Sequence, residues 1–268
     1  MEGTPPVTCM CLTYGRPHVV EEAIHSFLIQ DYSGPKELVV LNDFDRQTLV
    51  YEHSDVVVVN VPKRFRTVGE KRNACAALAS HELLFVWDDD DIFLPHRISY
   101  SVRMFEPSRR FFKPSRAFTL NHGQLGGPVR NLFHSGSCFA RSLFDEARGY
   151  PHMGSGQDKG LELSFERILR RRKNFNDIAP EYIYYLYRWE GTLSYHLSGF
   201  GPDGRTAKTG NEKVADYVGR QIAEGLVPTG RIDLAPHWQM DYVALVKDYL
   251  GRLPPPPPPP PEPSPAGD

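Results

Sequence analysis

This chain has no long hydrophobic run, no patterned cysteines and almost no net charge, and each absence removes a class of function. No apolar stretch in its 268 residues approaches the roughly 20 needed to cross a bilayer, and its first residues lack the apolar core of a secretory leader. The expectation is a soluble, cytoplasmic protein with no integral membrane segment, peripheral contact with a membrane being left open. The four cysteines, Cys9, Cys11, Cys75 and Cys138, show no zinc-ligand spacing. Cys9 and Cys11, two apart in an extended segment, point to the same side, and all four read as reduced, buried thiols. With 31 Lys+Arg against 33 Asp+Glu, the formal net charge is −2, which gives no global basic field for nucleic acid. The basic runs Lys63–Arg66 and Arg170–Lys173 are local, and each suits a solvated face.

What is present is enough apolar material for a substantial core: 40% of residues are hydrophobic and 12% aromatic. Strand and helix signals alternate through the first part of the chain. Strands are expected at Val7–Leu12, Glu37–Leu41, Val56–Val61 and Leu83–Trp87, and helices at Pro17–Gln30 and Arg66–Ala79. Unbroken Val/Leu runs suit strands covered on both faces, so a doubly wound, mostly parallel α/β sheet with helices on both sides is expected. Later signals are sparser. Asn131–Arg141 reads as a strand and turn, Lys159–Arg170 as an amphipathic helix, Tyr182–Trp189 as an aromatic strand, and Asn211–Glu224 and His237–Leu250 as closing helices. Residues 1–253 are expected to form one domain, with a regular first half (1–110), a less regular second half (111–210) and C-terminal helices (211–253). Pro254–Pro261 is unbroken proline and opens a disordered, extended tail through residue 268. Such a tail serves as a semi-rigid terminus or recruits a proline-binding module.

The most informative stretch joins the strand Leu83–Trp87 to four consecutive carboxylates, Asp88, Asp89, Asp90 and Asp91. Adjacent like charges repel, which favours a neighbouring cation; a hard divalent ion uses oxygen ligands and shares its shell with substrate phosphates. The plain alternative is an acidic turn. The return to Ile92-Phe93-Leu94-Pro95 places the run in a tight junction leading to a helix, which Asp91 is positioned to cap. In doubly wound sheets ligands bind beyond the carboxyl ends of the strands, where Tyr14, Asn42-Asp43 and the Asp run all fall.

Four segments in this order, Val7 to Pro17, Glu37 to Asp43, Gly69 to Ala74 and Asp88 to Pro95, resemble the motif series of family 2 glycosyltransferases of the GT-A fold. The similarity covers about the first 110 residues; Gly136–Arg141, Gly149–Asp158 and Tyr185–Gly199 resemble the family's later half more loosely. The resemblance implies a metal-dependent transfer of a sugar, of hexosyltransferase type, from a nucleotide-diphosphate sugar to a hydroxyl acceptor. It implies that Thr13, Tyr14, Arg16, Asp43, Arg72, Asp88 and Asp89 face the nucleotide sugar, Tyr14 stacking on the base and Asp43 accepting from its edge. It further implies Asp88, Asp90 and His196 as ligands of Mn²⁺ or Mg²⁺, and Asp158 as the base that deprotonates the acceptor, with inversion at the anomeric carbon. The family usually has two acidic residues where this chain has Asn42-Asp43, and Glu-Asp where it has Gln157-Asp158. Asp158 is also placed to cap the helix that follows it. Gly199–Gly204 has the glycine content of a lid over bound nucleotide.

Two other functions fit the same chain. A nucleotidyltransferase of similar fold would need a glycine-rich, basic loop after the first strand to hold a triphosphate, and Thr13–Pro17 offers one glycine. A non-catalytic nucleotide-sugar-binding protein whose tail recruits a partner is the third reading.

Overall fold

Apart from an unexpected short strand at Gln47–Val50, the strands and helices of the first ninety or so residues follow the expected alternation, with ends shifted by one or two residues. A computed structural model describes residues 4–170, 176–189 and 210–252. In chain order they form β1 (Val7–Thr13), α1 (Pro17–Leu28), β2 (Lys36–Asn42), β3 (Gln47–Val50), β4 (Val56–Asn60), α2 (Val68–Leu78) and β5 (Leu83–Val86). The middle of the chain supplies β6 (Ile92–Phe93), α3 (Arg97–Met104), β7 (Phe111–Phe112), β8 (Arg116–Asn121), β9 (Gln124–Arg130) and β10 (Cys138–Ala140). It ends with α4 (Arg141–Glu146), α5 (Gln157–Ile168), β11 (Tyr185–Arg188), α6 (Gly210–Ala223), β12 (Gly230–Asp233) and α7 (Tyr242–Gly251).

The central sheet has the order β4-β2-β1-β5-β10-β7, with β4, β2, β1 and β5 parallel and β10 antiparallel to β5. Alternation along these strands feeds two cores. Cys9, Cys11, Leu38, Val40, Phe85 and Trp87 face α1, α3 and α7, whereas Met10, Val39, Leu41, Leu84 and Val86 face α2, α4 and α5. The expected sheet with helices on both faces is present, and Cys9 and Cys11 share one side. All four cysteines are buried and free. Trp87 is fully buried, and its indole N–H donates to the Ala23 carbonyl at 3.0 Å, which ties the end of β5 to α1.

Local chemistry sets the helix starts. Pro17 opens α1, where its missing N–H costs nothing. At α2 the Glu70 N–H donates to the Thr67 hydroxyl at 3.1 Å, and the Glu70 carboxylate reaches back to the Arg66 N–H at 3.1 Å. A second sheet, β6-β11-β8-β9, stands beyond the carboxyl ends of the central strands. Its β8–β9 hairpin turns at His122-Gly123, both with positive φ (47° and 74°), as a two-residue turn of the right twist requires.

Three expectations are corrected. Asn131 starts a turn in place of a strand, because its side chain accepts from the Phe133 N–H at 3.0 Å and donates to the Pro114 carbonyl at 3.0 Å; β10 begins only at Cys138. Asp91 caps no helix. The short strand β6 intervenes, α3 starts at Arg97, and the Asp91 carboxylate turns to Tyr185. The last helix starts at Tyr242 in place of His237, since Trp238 and Gln239 donate to Ser26 and Glu22 on α1 while Asp241 caps α7 through the Ala244 N–H at 2.9 Å. No helix among the described residues is long and apolar enough to cross a membrane.

Candidate active site

Parallel strands bring their carboxyl ends to one edge. Thr13 is in register with Asn42, and Met10 with Val86, so the loops Tyr14–Arg16, Asp43–Phe44 and Asp88–Asp91 leave the sheet side by side. The segment entering β10 joins them from the opposite direction: the Val86 N–H donates to the Ser137 carbonyl at 3.1 Å and the Asp88 N–H to the Ser135 hydroxyl at 3.3 Å.

The four carboxylates are divided among different partners. Asp88 accepts from Arg72 at 2.8 Å. Asp89 is gripped by Arg16 through two bonds, Nε at 2.9 Å and Nη2 at 2.5 Å, and the same guanidinium reaches Asp90 at 3.1 Å. Asp91 accepts from the Tyr185 hydroxyl at 2.9 Å and the Arg188 N–H at 3.3 Å. Arg188 also donates through Nε to the Asp90 carbonyl at 2.9 Å and through Nη1 to Glu22 at 2.5 Å. Burial pushes the Asp89 and Asp91 carboxyls above the usual range. At Asp89 the Arg16 charge opposes that rise, whereas at Asp91 the neighbouring Asp90 and Asp88 charges add to it. Burial also pulls down Arg72, but the Asp88, Tyr150 and Asp158 charges and the hydrogen bond to Asp88 together outweigh it, and the net shift is upward.

These residues suit a hard divalent cation as partial ligands. The Asp88 side chain is 24% exposed and that of Asp90 10%, whereas that of Asp89 is 1% exposed and committed to Arg16. Among the described residues no group of three or more His, Cys, Asp or Glu side chains forms a complete cage. Asp88 and Asp90 fit a cation that completes its shell with water and substrate phosphate. His196 and the Gly199–Gly204 segment lie outside the described residues, as does the proline tail.

On the nucleotide side, the Arg64 guanidinium lies over the Tyr14 ring, 3.8 Å from its centroid, and Phe44 meets the ring edge-on at 4.8 Å. Helix α6 packs here as well, Val214 and Val218 forming a small apolar cluster with Phe44 and Tyr14. Gly15, at φ 69°, has the Val218 side chain 2.8 Å from where a Cβ would stand, so the turn requires glycine on both counts. Asp43 accepts from Lys71 at 2.5 Å and from the Phe65 N–H at 3.0 Å, while Lys71 also donates to the Thr13 carbonyl at 2.6 Å. Burial lowers the Lys71 pKa and the Asp43 charge opposes that shift. Asn42, by contrast, is consumed by structure: it bonds Gln47, Asn60 and the Phe44 N–H.

Across the site, Asp158 lies in the first turn of α5, and its Oδ1 accepts from the Lys159 N–H at 2.7 Å; the capping position itself is Gly156. Asp158 acts electrostatically on Arg72 and Tyr150. Arg72 sits 5.6 Å from the Tyr150 ring centroid. Below Tyr150 runs a buried chain in which His134 bonds the Tyr150 hydroxyl at 2.8 Å and Glu162 at 2.7 Å, and Lys113 bonds Glu162 at 2.7 and 2.9 Å. The structure therefore brings Thr13, Tyr14, Arg16, Asp43, Arg72, Asp88, Asp89 and Asp90 to one edge, with the charge of Asp158 acting on Arg72.

Sequence reasoning missed Lys71, Glu22, Tyr185, Arg188 and the Lys113–Glu162–His134–Tyr150 chain. Alternation in Tyr185-Leu186-Tyr187 marks two tyrosines on one face of a strand, a signal that was available. The pairing of Arg188 with Glu22 left none, because it joins segments far apart in the chain.

Comparison with known proteins agrees with this fold. The family model described as glycosyl transferase family 2 matches residues 9–148, just over half of the 268. The crystal structure of S. aureus TarS 1–349 in complex with UDP-GlcNAc is similar over 91% of this chain and 71% of that one, at 14% identity and a TM-score of 0.50. The structure of TarS 1–349 alone matches over 68% of this chain and 60% of that one, at 12% identity and a TM-score of 0.50. At such identity the likeness is one of fold. No curated protein matches the chain.

Proposed function

The chain belongs to glycosyl transferase family 2, and from that premise we propose that it transfers a sugar from a nucleoside-diphosphate sugar to a hydroxyl acceptor, with inversion. The observation that carries this reading is the meeting of Tyr14–Arg16, Asp43, Arg72 and Asp88–Asp90 at one sheet edge, with the Asp158 charge felt at Arg72.

Asp43, held by Lys71 and the Phe65 N–H, keeps lone pairs for the edge of a base. Tyr14 offers its ring to that base, Arg64 marking where a flat cationic or aromatic group stacks. Arg72 and Arg16 face the diphosphate, as planar cations suited to bidentate contact with phosphate oxygens. Asp88 and Asp90 would hold Mn²⁺ or Mg²⁺, which when bound supplies positive charge against the departing diphosphate. Asp158 takes the proton of the acceptor hydroxyl as that oxygen attacks the anomeric carbon; the bond to phosphate breaks on the opposite side, so the configuration inverts. Arg72 bonds Asp88 and feels the charge of Asp158, so one cation acts on both the leaving-group and attacking sides.

Calorimetric titration of UDP, GDP and their sugar conjugates, with and without Mn²⁺, into wild type and Asp90→Ala tests this reading. Metal-dependent binding of one nucleotide that is lost in the variant supports it. Absence of binding by every nucleotide removes it.

A further inference from the structure

We propose that Arg16 is a resident counter-ion of the Asp89–Asp90 pair, which holds the pair in the absence of a divalent cation and competes with that cation for Asp90. The proposal rests on the transferase reading for the cation's presence and on this chain's own geometry for the competition.

Three arginines approach the Asp run in different ways. Arg72 bonds the Asp88 carboxylate and is held on α2 beside the Tyr150 ring. Arg188 bonds the main-chain carbonyl of Asp90 and is anchored by Glu22. Arg16 bonds the carboxylates themselves, two contacts to Asp89 and one, at 3.1 Å, to Asp90. Its side chain is only 11% exposed, so its charge acts where water screens poorly.

The Arg16 backbone is fixed. Gly15 on one side adopts φ 69°, Pro17 on the other opens α1, and the Arg16 carbonyl accepts from the Val19 and Val20 N–H groups at 3.1 and 3.3 Å. Only the side chain is left to move. A cation bound at Asp90 repels the guanidinium and uses the oxygen that Arg16 now holds. The two bonds to Asp89 are the stronger attachment, so the Asp90 contact is the one that yields. The Nη1 donor that leaves Asp90 stays at the sheet edge where the diphosphate is proposed to lie. Arg16 thereby makes cation binding weaker in the protein without nucleotide.

Mn²⁺ binding to wild type, Arg16→Gln and Arg16→Lys, followed by calorimetry and by electron paramagnetic resonance of free Mn²⁺ without nucleotide, tests the proposal. Arg16→Gln is expected to bind Mn²⁺ about tenfold more tightly than wild type, the scale of losing one charge-assisted bond. Arg16→Lys keeps the charge but cannot span both carboxylates, so it is expected to fall between the two; it serves as the readout if the glutamine variant does not fold. A purely structural role predicts the opposite sign, because loosened carboxylates bind a cation less well. Unchanged or weaker Mn²⁺ binding in the folded variants overturns the proposal, as does absence of Mn²⁺ binding in all three proteins. Repeating the titrations with UDP and GDP separates the two ideas. Nucleotide binding by wild type with no tightening in Arg16→Gln removes this inference alone, and tightening with no nucleotide binding removes the transferase reading alone.

Discussion

Arg188 and Glu22, 166 positions apart in the chain, meet as a fully buried ion pair with Nη1 and Oε2 at 2.5 Å. Glu22 is saturated on its other oxygen by the Tyr242 hydroxyl at 2.7 Å and the Gln239 N–H at 3.1 Å. Arg188 meanwhile bonds the Asp90 carbonyl and the Asp91 carboxylate. One pair thus joins α1, the second sheet and the approach to α7 directly behind the Asp run. A buried pair stabilises only when its remaining donors and acceptors are met, and here the carboxylate is met on both oxygens.

Breaking that pair from one side leaves a buried charge without its partner. Glu22→Gln is expected to lower unfolding free energy by about 3–5 kcal/mol, read by urea denaturation. Combined with Arg188→Met it should cost less than the two changes summed. Strict additivity would mean that the two side chains do not act on one another.

Asp158→Asn removes the proposed base and keeps the side chain's shape. Turnover is expected to fall by about 10²–10⁴-fold while the donor's dissociation constant stays within a factor of a few. Steady-state kinetics beside donor titration checks this; a variant with full turnover needs another base.

The carboxylate of Glu162 gives the acid limb of stability a definite sign. Burial raises its pKa, but the His134 and Lys113 contacts outweigh that, and the net value lies below the ordinary 4.5. A carboxyl depressed on folding contributes stability at pH above its unfolded value and loses that contribution as pH falls through its folded value. Denaturation curves of wild type and Glu162→Gln are therefore expected to differ most at pH above the ordinary 4.5 and to converge as pH falls below it. A gap that widens on acidification contradicts the assignment.

Gly69, on α2, has the Pro151 carbonyl oxygen 2.0 Å from where a Cβ would stand, and its N–H donates to the Met153 carbonyl at 3.2 Å. Alanine favours helices, yet Gly69→Ala is expected to destabilise by about 1–3 kcal/mol, because the loop ahead of α5 must move. Thermal unfolding reads this directly, and a stabilised variant would show that the loop gives way freely.

The first strands and helices were legible because each writes its pattern locally. Apolar runs in β1, β2 and β5 are buried on both faces, Pro17 starts α1, and Thr67 with Glu70 starts α2. The hairpin β8–β9 and the pairing of β3 with β12 were not read, since Arg116–Arg130 has no strict alternation and β12 meets a strand from the other end of the chain. His237–Gln239 carry a helical pattern, but their donors are taken by α1.

The sequence by itself determined a doubly wound sheet, the edge at which its loops gather, and the acidic, aromatic and basic residues that reach that edge. These follow from periodicity, from turn chemistry and from the rule that parallel strands end together. Only the tertiary structure decided which donor each carboxylate meets: Arg72 for Asp88, Arg16 for Asp89 and Asp90, Tyr185 for Asp91, and Lys71 for Asp43. Those pairings depend on distances between segments that sequence spacing does not fix. In a poorly screened interior, distance and burial set whether neighbouring charges hold a site together or force it to accept a cation.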